Sequence, residues 1–220
     1  MTDLPELPVR AFAKADPAPD GLFYDTPRLV THIDAGAIAA VTRLYRELLP
    51  PGGTVLDLMG SWVSHLPEDV VYAEVIGHGM NAQELAANPR YTRWFVQDLN
   101  RGQRLPLPDA GVDAVTICVS IQYLQHPVAV LREVHRVLRP GGVVVITFSN
   151  RCFPTKAVAI WQALDGPDQC RLVGLYLARA GLERVEARQE VDGRRGDPLW
   201  AVVGRSPHTP TDLAPSISRP

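Results

Sequence analysis

Polar and titratable side chains recur where the apolar runs of this chain end. Asp57 follows Thr54-Val55-Leu56, Asp98 comes just after Trp94-Phe95-Val96, Ser120 follows the run from Ala114 to Val119, and Ser149-Asn150-Arg151 follows Val143 to Phe148. A carboxylate in an apolar segment costs several kcal/mol to bury unless something pairs with it. Asp57 therefore implies a partner, either a ligand or the turn that follows it. Asp98, within Gln97-Asp98-Leu99-Asn100, either accepts from a ligand or shapes a turn. Ser149, Asn150 and Arg151 must go to solvent, to turns or to a ligand. His65 lies beyond Asp57 in the same loop as Trp62; an imidazole there is either a proton acceptor near neutral pH or a satisfied surface side chain. Tyr123, in Ser120-Ile121-Gln122-Tyr123, either faces such a site or is a core aromatic. Upstream, the segment GLFYDTPRLVTHID carries Phe23, Tyr24, Asp25, Arg28 and His32, a density of functional groups that helix capping alone would also produce. Cys118 reads as a small core residue, and Trp161 and Tyr176 fit helical core faces.

The elements that must position these groups alternate in period. Ile33 to Leu49 is helical, with Ile38, Val41, Leu44 and Leu48 on one stripe and Pro50-Pro51-Gly52-Gly53 ending it. Thr54 to Leu58 is a first strand, Val71 to Ile76 a second, and Asn81 to Ala87 a short helix stopped by Asn88-Pro89. Trp94 to Val96 is a third strand and Ala114 to Val119 a fourth. A helix striped by Val128, Leu131, Val134, Val137 and Leu138 ends at Arg139-Pro140-Gly141-Gly142, and Val143 to Phe148 is a fifth strand. Helices over Thr155 to Leu164 and Gln169 to Ala180 follow, then strands over Leu182–Ala187 and Leu199–Val203 joined through Asp192-Gly193. Strands apolar on both faces and spaced by helices predict a parallel sheet covered on both sides. The short final connection has no room for a crossover, so the last two strands are antiparallel. The fold class is α/β: a doubly wound, mostly parallel, seven-stranded sheet with an antiparallel carboxyl-terminal edge. Ligands in such sheets sit beyond the carboxyl ends of the strands, where strand order reverses, which is where the groups above gather.

The successive segments VLDLMGSWVSHLP, VIGHGMNAQEL, VQDLN, LPLPDAGVDAV, AVTICVSIQYL and VLRPGG together resemble a class I S-adenosylmethionine-dependent methyltransferase of the small, single-domain, type 11-like kind, with its Rossmann-like fold. The resemblance is close over residues 54–150 and topological elsewhere. LPLPDAGVDAV followed by a helix ending in VLRPGG is its most specific part. It implies S-adenosyl-L-methionine as cofactor and a donor site built from Asp57, Met59, Gly60, Ser61, Gly79, Met80, Asn81, Asp98, Leu99 and Ser120. In it Asp57 faces the amino end of the methionine moiety, Asp98 accepts from the adenine amine, and Leu99 packs on the purine. It also implies an acceptor site from Tyr24, Arg28, His32, Trp62, Gln122, Asn150 and Arg151, with Tyr123 and His65 as catalytic candidates. Two departures stand out. The first motif keeps Asp57 and Gly60, but Met59, Ser61 and Val63 stand where the family has glycines. Gly79 stands where the family has the acid that binds the ribose hydroxyls, which moves that role to Asn81, or to Glu84 behind it, with Asn81 the expected partner. The implied reaction is in-line displacement: the acceptor attacks the sulfonium methyl and a neutral thioether leaves.

The remaining composition narrows the alternatives. The chain has 220 residues, 46% hydrophobic and 21% charged, a length that suits one domain. Net charge is −2, from 22 Lys+Arg and 24 Asp+Glu with no long run of either sign, so no nucleic-acid footprint is expected. Apolar runs are strand-length and short of the ~18 residues a membrane helix needs. The first residues lack an apolar signal core, and three scattered cysteines suit a reducing compartment, so a cytoplasmic protein without a metal site is expected. Of 20 prolines, five lie at or before Pro27 and four at or after Pro207. Residues 1–30 are therefore expected to form a partly flexible arm acting as a lid over the acceptor site, 31–205 the donor-binding domain, and 206–220 a flexible tail. The partner is a small molecule, since 220 residues leave no separate substrate domain, and the protein is a monomer or homodimer. The rival reading is a catalytically inactive binding module on the same fold. A nicotinamide enzyme would need the glycine fingerprint and ribose acid that are missing here.

Overall fold

A computed structural model of the chain describes residues 3–208. Seven strands form one sheet: β1 (Thr54–Asp57), β2 (Glu74–Gly79), β3 (Arg93–Val96), β4 (Val112–Cys118), β5 (Leu138–Phe148), β6 (Glu183–Val191) and β7 (Leu199–Arg205). Their order is β3-β2-β1-β4-β5-β7-β6, with β1 to β5 parallel and β7 antiparallel to both neighbours. Helices are α1 (Asp20–Tyr24), α2 (Ala35–Leu48), α3 (Ala82–Ala87), α4 (Pro127–Val137), α5 (Ala159–Gln162) and α6 (Gly166–Arg179). None is long and apolar enough to cross a membrane.

Period-two alternation along the strands builds a core on each face. Leu56, Val115, Val144 and Ile146 point to the side covered by α4 and α6, while Val55, Ala114, Val143 and Val145 point to the side covered by α2. Asp34 caps α2 by accepting from the Ala37 amide at 2.8 Å, and Asp165 caps α6 through the Asp168 amide at 3.0 Å. Strand order reverses between β1 and β4, and the loops after both open on the same end of the sheet.

Several boundaries differ from the sequence reading. The second strand begins at Glu74, not Val71: Val71 is 80% exposed and its carbonyl instead accepts from Gly52, while Ala73 donates to Gly53. β5 begins at Leu138, because Leu138 pairs with Val112 before the register shifts around Pro140 and the two glycines. The helix expected over residues 155–164 shortens to α5, since Asp16 and Ala13 bond to Thr155 and Ala159. The arm is laid down on the domain: Lys14 bridges to Val158. Lys156, fully buried, reaches the Ala18 carbonyl at 2.8 Å, Asp16 at 2.9 Å and Asp20 at 3.4 Å. At the other end, Ser206 pairs with Gly142, so the segment expected to be a tail starts with an ordered residue; the rest of it, from 209, lies outside the described residues.

Candidate active site

The loops after β1, β2, β3, β4 and β5 and the arm surround one cavity of about 310 Å³. Three non-glycine residues with left-handed backbone line it: Met59 (φ 60°), His65 (φ 54°) and Val119 (φ 44°). For β-branched Val119 that conformation is costly, and such strain concentrates at functional sites. It is held by the Val119 amide donating to Thr147 and its carbonyl accepting from Gln122 Nε2 at 2.8 Å.

The register places Asp57 beside Gly77 of β2 and Thr116 of β4. Its carboxyl, 1% exposed, accepts from Thr116 Oγ1 at 2.9 Å and from the Tyr91 hydroxyl at 2.7 Å. Burial pushes its pKa up to about 7, against the lowering effect of those two hydroxyls. A Cβ at Gly60 would lie 2.3 Å from the Tyr91 oxygen. Tyr91 thus fills the space beside the first motif, a role the sequence reading missed.

His78 ties the next loop down. Its Nδ1 accepts from the Met59 amide at 3.0 Å and its Nε2 donates to the Gln97 carbonyl at 3.0 Å, which fixes a neutral tautomer. Burial lowers its pKa to about 4, partly offset by the Gln97 bond. The Gly60 amide donates to the His78 carbonyl at 2.7 Å. A Cβ at Gly79 would then sit 2.6 Å from the Gly60 carbonyl oxygen. The β1 loop crosses the end of β2 and leaves no room for a side chain at position 79.

Asn81 and Glu84 both line the cavity, but their groups are committed differently. Asn81 Oδ1 caps α3 through the amides of Gln83 and Glu84, and its Nδ2 donates to the Tyr24 and Asp25 carbonyls. Both ends of that amide are engaged by the protein. Glu84, 8% exposed, accepts from the Arg28 amide at 2.6 Å and the Ser61 hydroxyl at 2.6 Å, and each carboxylate oxygen retains a second lone pair. Asp98 lines the cavity with Leu99, one oxygen accepting from the Asn100 amide at 2.9 Å. The Ser120 hydroxyl is buried without a partner at the cavity wall. Met59, Gly60, Ser61, Gly79 and Met80 line the cavity as well.

Tyr24, Arg28, His32, Trp62, His65, Tyr123, Arg151 and Phe153 also line the cavity. Tyr123 stacks on Phe153 with centroids 5.8 Å apart, and its oxygen accepts from the Phe153 amide at 2.9 Å. Burial pushes the phenol up to about 12, so Tyr123 is protonated at neutral pH. Burial lowers the pKa of His65 and His32, so both are free bases at neutral pH. Trp62 donates to the Val30 carbonyl at 3.1 Å, fastening the β1 loop to the arm. Two expected residues do not line the cavity: Gln122 is 1% exposed and turned to the Val119 carbonyl, and Asn150 is exposed to solvent. Arg151 is on the wall but is paired with Asp197 at 2.7 Å.

Residues 59–146, which include many of the cavity-lining residues, match the family model described as a methyltransferase domain of type 11. Over these residues the chain is similar to the class I methyltransferase domains that the model describes. S-adenosyl-L-methionine is the methyl donor of the family. Over 70 residues the chain is 47% identical to a ubiquinone/menaquinone biosynthesis C-methyltransferase of Caulobacter sp. (strain K31), covering 32% of this chain and 25% of that protein. It is 33% identical over 97 residues to a demethylmenaquinone methyltransferase of Streptomyces griseus subsp. griseus, covering 44% and 42%. The chain thus spans between a quarter and a half of the length of these curated relatives. The methyltransferase fold itself extends further. A SAM-dependent methyltransferase structure from Aquifex aeolicus superposes with TM-score 0.57 at 19% identity, over 85% of this chain and 97% of that one. The [4+2]-cyclase SpnF superposes with TM-score 0.62 at 17% identity, over 88% and 99%. A fold that also hosts a cyclase does not fix the reaction, so function must be argued from the cavity.

Proposed function

We propose that this chain transfers the methyl group of S-adenosyl-L-methionine to a small-molecule acceptor by direct in-line displacement. The observation that carries this reading is one cavity lined both by acidic groups and by aromatic and imidazole groups. Glu84, Asp98 and the unpartnered Ser120 hydroxyl suit a ligand rich in hydroxyl and ammonium donors. When bound, the donor supplies an electrophilic methyl on sulfonium sulfur, so the protein's part is positioning and exclusion of water. Glu84 takes over the ribose hydroxyls that the blocked position 79 cannot serve. Leu99 packs on the base, and Asp98 accepts from its amine. His65 or His32 takes the acceptor's proton where the acceptor arrives protonated.

Calorimetry tests the donor half. Glu84→Ala is expected to weaken S-adenosylmethionine at least tenfold, about 1.4 kcal/mol. Asn81→Ala is expected to cost about 1 kcal/mol of stability as a lost cap, with a smaller effect on the donor. The opposite order would return the ribose to Asn81. Turnover of labelled donor over an acceptor panel tests the other half; donor binding without turnover on any acceptor favours the binding-module reading. The pH profile of turnover follows from the two imidazoles. Because burial depresses both, activity is expected to hold as pH falls through 6.5 and to decline only below it. A midpoint above 6.5 would exclude these histidines as the base.

A further inference from the structure

Arg28 differs from the other cations near the cavity. Lys14 and Lys156 are neutralised by Asp16 and Asp20, and Arg151 by Asp197. Arg28 has no carboxylate within ion-pair distance among the described residues. Its side chain donates to two carbonyls, Phe23 at 2.9 Å and Thr26 at 3.4 Å. Its guanidinium carbon lies 4.4 Å from the Phe23 centroid, 5.5 Å from Phe153 and 5.9 Å from Tyr24. The nearby Glu84 carboxylate is bonded to the Arg28 backbone amide instead. The side chain is thus clamped between rings and main chain on the cavity wall, with guanidinium N–H donors left over from those two bonds.

From this geometry we propose that the acceptor is an aromatic carboxylate whose anionic group is held by Arg28, an inference that rests on the methyl-transfer reading and names its substrate class. Phe153 and Tyr123 are stacked, and His32 and Phe23 meet Phe153 edge-on at 5.3 and 5.1 Å. Such a wall receives a flat ring, and one preorganised guanidinium matches one carboxylate in bidentate geometry. A phosphate ester would call for more than one uncompensated cation, and the two buried lysines are already spent.

The test is calorimetry on the full chain with S-adenosylhomocysteine present, using benzoate and 4-hydroxybenzoate against benzamide, with inorganic phosphate as a further probe. Benzoate is expected to bind at least tenfold tighter than benzamide. Arg28→Gln should erase that difference, Arg28→Lys should keep part of it, and S-adenosylhomocysteine affinity should stay within about threefold in both. Equal affinity of the carboxylate and the amide for the unaltered protein overturns the proposal, whatever the variants do. Phosphate binding tighter than either aromatic overturns it too. If S-adenosylhomocysteine binds and neither aromatic does, the acceptor class is wrong and the donor reading stands. If S-adenosylhomocysteine itself fails to bind, the methyl-transfer reading falls, and the benzoate-to-benzamide ratio measured without it still decides the role of Arg28.

Discussion

Asp20→Ala is expected to destabilise the fold by about 3–5 kcal/mol, the range for removing one partner of a buried ion pair. Asp20 is 9% exposed and sits between two ammonium groups, Lys14 Nζ at 2.5 Å and Lys156 Nζ at 3.4 Å. It also accepts from Asn100 Nδ2 at 2.9 Å, a residue of the loop after β3 that in turn accepts from the Gln125 amide. Without the carboxylate, Lys156 keeps only Asp16 and the Ala18 carbonyl, and Lys14 loses its ion-pair partner. At about 2–4 °C per kcal/mol for a domain of this size, the melting midpoint should fall by about 10 °C. Deleting residues 1–30 should do worse, since it strands Lys156 entirely and frees Asn81, Glu84 and Asn100 of their arm contacts. The arm is therefore expected to behave as part of the domain, and its removal to abolish turnover through unfolding. Thermal melts of Asp20→Ala and Asp20→Asn decide this. A drop under 2 °C for the alanine variant would show the arm to be an independent appendage.

That coupling was beyond the reach of the sequence, and the reason is physical. Strand periodicity and the Asp192-Gly193 connection are local, so the sheet and its antiparallel edge could be read directly. Asp57, Asp98, Leu99 and Ser120 were legible because they follow strands in a fold that gathers strand ends. Lys156 and Asp20 lie in segments that no local rule relates, and a buried lysine looks like any other until its partners are placed. The same holds for Gly79. Its missing side chain reads as a lost function, while the cause is a carbonyl of the β1 loop that only the folded chain brings within reach. Glu84 was visible but underrated: three residues after Asn81 it fits a capping-box position, yet it turns to Arg28 and Ser61 instead. Val71-Tyr72 misled in the other direction, being β-branched and aromatic in a segment that serves as a connection.

Asp57 and His78 are expected to give the protein opposing pH dependences that nearly cancel between pH 4 and 6.5. The folded pKa of Asp57, raised to about 7, lies above its ordinary value of 3.8. The folded state then binds more protons, and its stability declines as pH rises from 3.8 through 7. His78 runs the other way: its folded value of about 4 lies below 6.5, so stability present above pH 6.5 is lost as pH falls towards 4. At 1.36 kcal/mol per unit, each contributes about 3 kcal/mol across that window with opposite sign. Asp57→Asn keeps a side chain that can bond both the Thr116 and Tyr91 hydroxyls while removing the titration. It should gain stability at pH 8 and show a steeper loss on acidification than the unaltered chain. His78→Gln keeps one acceptor for the Met59 amide and one donor for the Gln97 carbonyl, and its stability should rise as pH falls from 6.5 to 4.5. Asp57→Ala, by contrast, leaves two buried hydroxyls without their acceptor and should cost about 3 kcal/mol at pH 6. Urea unfolding at pH 4.5, 5.5, 6.5 and 8 separates these slopes. Parallel curves for the unaltered chain and Asp57→Asn would mean that Asp57 titrates at its ordinary pKa, and that its hydroxyl partners offset its burial.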